Sequence, residues 1–157
     1  MTFSLNKKSS VVGIYFVLGI FLSLGFEPYN IPLVSIISIG IFFLLNDYLY
    51  LNYNKNYFLY FLTGMSFGFA FFFSSMYWVT NSIFVYPELF YFTPIPLFGL
   101  PLILCIFYGV MQLFNFLFWS KNISRILYFA IFWTFFEIIR GSFFGGLPWN
   151  VIAYSWT

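Results

Sequence analysis

The chain has 157 residues, of which 62% are hydrophobic and only 6% charged; this composition excludes a water-soluble domain and predicts a protein of the lipid bilayer. With no histidine and a single cysteine, it offers neither a metal-ligand cluster nor a disulfide framework, so we expect no metal and no cofactor. The net charge of +2 is too small and too scattered for a nucleic-acid surface, so we expect no nucleic-acid partner.

Five apolar stretches follow one another along the chain, separated by polar or proline-bearing breaks. A helix needs about 20 mostly apolar residues to cross a bilayer. The sequence therefore predicts an all-α fold, a polytopic transmembrane helix bundle of about five spans, with residues 1–157 forming one amino-terminal transmembrane domain. The predicted spans are residues 9–26, 31–51, 57–79, 94–119 and 126–140.

The first stretch has two lysines before it, as a secretory signal peptide does. No small-residue cleavage pattern follows, and Gly25-Phe26-Glu27-Pro28 leads directly into the next apolar stretch. We therefore interpret the first stretch as a retained helix.

The third stretch contains two glycines, Gly64 and Gly68, four residues apart. Residues at this spacing share one face of a helix, and glycine has no side chain to hold a neighbouring helix away. The pair predicts a close helix contact, and packing is its expected role.

The cations indicate the orientation of the chain, because short loops rich in lysine and arginine stay in the cytoplasm. The alternate loops carry Glu27 and Glu88 and no cation, and Arg140 alone is expected at the outer face. We therefore expect a cytoplasmic amino terminus. The cations expected on the cytoplasmic side are Lys7, Lys8, Lys55, Lys121 and Arg125.

Charged, glycine and proline residues are concentrated in one segment near the end of the chain, residues 135–150. Glu137 and Arg140 are three residues apart, so on a helix they share a face and can pair, which lowers the cost of charge near hydrocarbon. The glycines and the proline that follow disfavour a continued regular helix. We therefore predict an irregular Gly/Pro-rich segment at the outer face after the fifth span.

Two interpretations of this segment remain open from the residues alone. One is a salt-bridged helix end followed by an ordinary outer loop with an aromatic anchor. The other is a cavity wall where a lipid enters, with the guanidinium of Arg140 available for phosphate. The candidate lipid-entrance residues are Glu137, Arg140, Gly146, Pro148, Trp149 and Tyr154.

Several motifs, taken together, resemble one known family. They are Phe26-Glu27-Pro28, the Gly64 and Gly68 pair, Trp78-Val79 followed by Ser82-Ile83, and the set Glu137, Arg140-Gly141, Phe144, Gly146, Pro148-Trp149 and Tyr154-Ser155. In this order they resemble the amino-terminal membrane part of bacterial apolipoprotein N-acyltransferases. The chain departs from the family pattern at Ser142, Gly145 and Ala153.

The resemblance implies an enzyme of the bacterial inner membrane that performs the last step of lipoprotein maturation. Such an enzyme transfers an acyl chain from a phospholipid donor to the α-amino group of the diacylglyceryl-modified cysteine of an apolipoprotein acceptor. In the family, a nitrilase-like domain with a Glu-Lys-Cys triad carries the chemistry. We expect that domain to be absent from these residues, and this chain alone to be inactive.

The only cysteine, Cys105, lies within the fourth apolar stretch and has no base or cation near it in the sequence. Buried cysteines in apolar surroundings are unreactive, so we expect it to pack in the core and assign no catalytic residue in this chain. A non-enzymatic membrane subunit and a degenerate remnant of an enzyme remain as alternatives, because both would have the same composition and topology.

Overall fold

The computed structural model describes residues 8–53, 56–79, 87–143, 150–152 and 155. Across these residues the chain forms α-helices and no β-strand, which confirms the predicted all-α class. Each predicted span overlaps one α-helix. The five helices are α1 (Lys8–Ser23), α2 (Pro32–Tyr53), α3 (Tyr57–Met76), α4 (Leu100–Phe118) and α5 (Ser124–Ser142).

The starts of α2 and α3 follow from local chemistry. Pro32 opens α2, at a position where the missing backbone N–H of proline would have no helical partner. Asn56 precedes α3, and its side-chain oxygen accepts a hydrogen bond from the Leu59 N–H at 3.1 Å. This contact satisfies one of the donors that every helix leaves unpaired at its start.

Two irregular turns precede α4. A 3-10 turn covers Pro87–Phe92 and a π-helical turn covers Ile95–Gly99. Pro96 and Pro101 lack the N–H donors of a regular helix, so the hydrogen-bond pattern changes here without ending the apolar run. The whole segment Phe90–Phe118 is long and apolar enough to cross a membrane.

The last helix runs past its predicted end at residue 140. It continues through Gly141 to Ser142, and Phe143 then takes an extended conformation with φ −72° and ψ 164°. The regular helix therefore ends two residues later than expected, and residues 144–149 lie outside the described residues.

Three of the described segments have the length and hydropathy of a membrane span, namely Pro32–Tyr53, Tyr57–Val79 and Phe90–Phe118. α1 is equally apolar in character but has only 16 residues. These helices fit insertion in a membrane, and the crossing of the bilayer by all five helices remains a prediction.

Helix α3 lies at the centre of the bundle and packs against α1 and α4 through glycine contacts. A Cβ atom added at Gly64 would overlap the backbone carbonyl of Tyr108, and one added at Gly68 would lie 3.0 Å from the Cα of Cys105. At Gly19 of α1, an added Cβ would overlap the carbonyl of Phe67. The close contact predicted from the glycine pair is confirmed, and its partner is α4.

An aromatic core joins four of the helices. The ring of Phe42 on α2 lies 4.6 Å from that of Phe67 on α3 and 5.4 Å from that of Trp133 on α5, measured between centroids. Tyr108 on α4 completes the group, with its ring 5.3 Å from Phe67 and 5.6 Å from Trp133. Edge-to-face contacts of this kind add to the stability gained by burial.

The end of α2 and the α4–α5 turn meet at one end of the bundle. The Asp47 carboxylate lies 3.3 Å from the Arg125 guanidinium and accepts a hydrogen bond from the Trp119 indole N–H at 3.0 Å. The end of α2 and the α4–α5 turn, both of which the cation pattern assigns to the cytoplasm, therefore lie on the same side of the bundle.

Candidate functional site

The second half of α5 carries the two charged side chains that the sequence singles out. Glu137 and Arg140 lie about one turn apart on this helix. Arg140 is only 3% exposed, and its guanidinium carbon is 5.2 Å from the centroid of the Phe72 ring on α3. That distance is within the range of a cation–π contact. The charged end of α5 is thus packed into the bundle.

Both side chains bind the backbone of the segment that follows the Gly/Pro-rich stretch. Oε1 of Glu137 accepts a hydrogen bond from the Ile152 N–H at 3.2 Å. Nη2 of Arg140 donates to the Asn150 carbonyl at 3.5 Å. Asn150 has φ 54°, in the left-handed region that asparagine tolerates better than most residues. We call Glu137 and Arg140 the α5 clamp, because together they hold residues 150–152.

A small cavity lies between α4 and α5 beside the α5 clamp. The volume that the centre of a water-sized molecule can occupy in this cavity is about 10 Å³. An acyl chain or a lipid headgroup needs a far larger volume. Its lining side chains are Phe107, Tyr108, Met111, Trp133, Phe136, Glu137 and Arg140.

A second, larger space is a groove of about 620 Å³ between α1 and α2. Its wall is apolar except for Ser10 and Ser38, and it includes Gly13, at which an added Cβ would have open space around it. Its size is in the range of pockets for apolar ligands, about 300–1,000 Å³. It lies on helices other than those of the α5 clamp.

A buried polar network connects α1, α2, α3 and α4. The Asn46 side-chain oxygen accepts hydrogen bonds from the Tyr15 hydroxyl at 2.7 Å and from the Gln112 amide at 2.8 Å. Gln112 also lies 3.5 Å from the Thr63 hydroxyl and accepts from the Asn115 amide at 3.1 Å. Sequence reasoning missed this network; the only local signal was the presence of amide side chains within apolar stretches.

Comparison with known protein families identifies the family to which the chain belongs. The family model described as the apolipoprotein N-acyltransferase N-terminal domain matches residues 18–157. The chain belongs to this family. The resemblance inferred from the sequence motifs is confirmed, and the chain represents the membrane portion of such proteins.

Three curated relatives, each named apolipoprotein N-acyltransferase, show how much of such a protein is matched. The protein of Rickettsia bellii is 39% identical over 95 residues, and that of Rickettsia prowazekii 40% over 95 residues; each match covers 60% of this chain and 19% of the relative. The protein of Rhizobium rhizogenes is 36% identical over 96 residues, covering 60% of this chain and 18% of the relative. The chain therefore matches less than a fifth of the length of these apolipoprotein N-acyltransferases.

The structure brings two of the candidate lipid-entrance residues together, since Glu137 and Arg140 line one cavity. The other four, Gly146, Pro148, Trp149 and Tyr154, lie outside the described residues. Their part in a lipid entrance, like that of the α5 clamp, stays a prediction.

The side chains that sequence reasoning missed at this site are Tyr108 and Trp133. Aromatic residues make up 29% of the chain, so the identity of these two gave no signal. Only the packing of α4 against α5 reveals that they share a cavity with the α5 clamp.

Cys105 is fully buried, as the apolar stretch around it predicts. Its thiol donates to the Leu102 carbonyl at 3.1 Å and lies 3.6 Å from the Met65 sulfur. The predicted burial of Cys105 is confirmed. Over residues 8–53, 56–79, 87–143, 150–152 and 155, no group of three metal-ligating side chains comes together.

Proposed function

We propose that this chain is the membrane part of an enzyme that transfers an acyl chain from a phospholipid to the α-amino group of the diacylglyceryl cysteine of apolipoproteins. The observation that carries this proposal is the family match over residues 18–157. The described residues supply no accessible thiol, because Cys105 is buried, so their role is to bind and position lipid beside catalytic groups contributed by other residues. We expect the 157 residues alone to be inactive.

Within this function, the α5 clamp positions the segment that leads from α5 to residues 150–152. Arg140 is buried against Phe72 and bonded to a backbone carbonyl, which favours a positioning role over direct contact with a phosphate. Glu137 fixes the same segment through Ile152. The lipid entrance itself is assigned to Gly146, Pro148, Trp149 and Tyr154, which belong to or follow this segment.

The proposed setting is the bacterial inner membrane, with several spans and a cytoplasmic amino terminus. The contact of Asp47 with Arg125 supports this topology, because it joins two ends that the cation pattern assigns to one side. The α5 clamp, near the other end of α5, would then lie toward the outer leaflet. The phospholipid donor and the apolipoprotein acceptor would meet there.

A chimera tests the proposal. Residues 18–157 replace the corresponding amino-terminal segment of the Rickettsia bellii relative, and membranes containing the chimera are assayed by mass spectrometry for conversion of diacylated to triacylated lipoprotein. We expect conversion with the chimera and none with the 157-residue chain. A chimera that accumulates to the level of the parent protein but acylates no lipoprotein would contradict the proposed function.

Two arginine variants of the chimera test the positioning role. Arg140→Gln removes the buried charge of the α5 clamp, so we expect less acylation per molecule of membrane protein. Arg125→Gln changes the same residue type at the other end of α5, in a half-exposed pair of the kind that contributes about 0–1 kcal/mol, and serves as the matched control. Equal loss of acylation per molecule in both variants would argue against a specific role for Arg140.

A further inference from the structure

Two aromatic side chains inside the bundle carry polar groups that no described side chain satisfies at close hydrogen-bond geometry. The Tyr108 hydroxyl on α4 has no hydrogen-bond partner in the part of the chain that the structure describes, and the Trp133 indole N–H on α5 faces the Glu137 carboxylate without a close hydrogen bond to it. Tyr108 is 4% exposed and Trp133 6%. Buried polar groups are nearly always paired, and surrounding hydrocarbon supplies no partner. A small molecule that forms hydrogen bonds is therefore expected at this place.

Both side chains line the small cavity that also borders the α5 clamp. Their rings lie 5.6 Å apart, so the two side chains border the same small space. The cavity offers about 10 Å³ to the centre of a water-sized molecule. One bound water requires roughly 10–15 Å³ on this measure, so the space is at the lower limit for a single water.

We propose that this cavity is a binding site for one water molecule that joins Tyr108 and Trp133 to the Glu137 carboxylate. An indole N–H can only donate, an ionised carboxylate can only accept, and a hydroxyl does either. Water both donates and accepts, so it satisfies all three groups at once. A hydrocarbon chain offers no hydrogen bond, and a phosphate group is too large for the space.

The bound water extends the α5 clamp into the aromatic core. Glu137 already accepts a hydrogen bond from Ile152, and the water adds a link from the same carboxylate to α4. The position of residues 150–152 is thereby connected to the packing of α4 against α5. The water site does not depend on acyl transfer by the protein.

Radiolytic footprinting of the full chain in phospholipid nanodiscs tests the site, because X-rays convert a bound water into hydroxyl radicals that oxidise the adjacent side chains. Mass spectrometry then gives an oxidation rate for each residue. We expect Tyr108 and Trp133 to be oxidised faster than Tyr15, which is also buried but whose hydroxyl is bonded to Asn46. If Tyr108 is oxidised no faster than Tyr15, no water is bound there and the inference is overturned.

A pair of matched variants separates the water from general packing. Phe136 and Phe132 are half-buried on α5 and contact the same ring, Phe114, at 5.4 Å and 5.5 Å, but only Phe136 lines the cavity. Phe136→Trp should fill the cavity and lower the oxidation rate of Tyr108 to that of Tyr15. Phe132→Trp should leave the Tyr108 rate unchanged. A fall of equal size in both variants, or in neither, contradicts a water bound in this cavity.

Discussion

Replacing Gly64 with alanine should destabilise the helix bundle, whereas the same change at Gly40 should not. A Cβ atom at Gly64 would overlap the Tyr108 carbonyl of α4 and lie 2.8 Å from the Cγ atom of Gln112. A Cβ atom at Gly40 would meet nothing within 4 Å. Both glycines lie inside helices, so the two variants differ mainly in the contact that the new methyl group makes.

The magnitude follows from two opposing contributions. Alanine is favoured over glycine within a helix by about 0.8–1.0 kcal/mol, and this gain applies at both positions. Overpacking a close contact costs about 1–3 kcal/mol, and this loss applies only at Gly64 because the atom it meets is backbone and cannot rotate away. The free energy of unfolding of Gly64→Ala should therefore be about 1–3 kcal/mol below that of Gly40→Ala, while Gly40→Ala should equal or slightly exceed the parent chain.

The measurement is the free energy of unfolding of each purified chain, obtained by titrating detergent micelles with sodium dodecyl sulfate and following tryptophan fluorescence. The comparison of the two variants removes the contribution of helix propensity, so it reports the contact alone. Equal stability of Gly64→Ala and Gly40→Ala would refute the reasoning, because α3 and α4 would then be farther apart than the structure places them.

Three further predictions follow from the polar contacts and the cation pattern. Gln112→Leu should lower the free energy of unfolding by about 1–2 kcal/mol in the same titration, because it removes the hydrogen bond to Asn46 and the one from Asn115, worth about 0.6 kcal/mol each, and leaves the buried Asn115 amide N–H without this partner. Glu137→Leu should lower the amount of folded protein in membranes more than Glu137→Gln does, since glutamine keeps an acceptor for the Ile152 N–H; equal levels would exclude a structural role for that bond. Single cysteines placed at Asn30 and Asn122 should react with an impermeant thiol reagent from opposite sides of sealed vesicles, and reaction from the same side would overturn the predicted topology.

The candidate site could be predicted only in part. The spacing of Glu137 and Arg140 was enough to place both on one face of a helix, and the glycines after them indicated where that helix would end. Their contacts with Asn150 and Ile152 could not be predicted, because they depend on how the chain returns after residues 144–149. Tyr108 and Trp133 were missed for a related reason: whether a polar tip is paired depends on neighbours from other helices.

The sequence by itself determined the class of the protein, because hydropathy, helix length and glycine spacing are local properties that one stretch of chain expresses without reference to another. It therefore predicted an all-α bundle, a close contact at Gly64 and Gly68, and a buried Cys105. The tertiary structure alone decided that α4 fills the glycine contact and that Asn46 and Gln112 meet across helices. Apolar helices of similar composition can pack in many arrangements of nearly equal burial, so pairing between them is fixed by shape and by the few polar groups that must find partners, which local patterns do not specify.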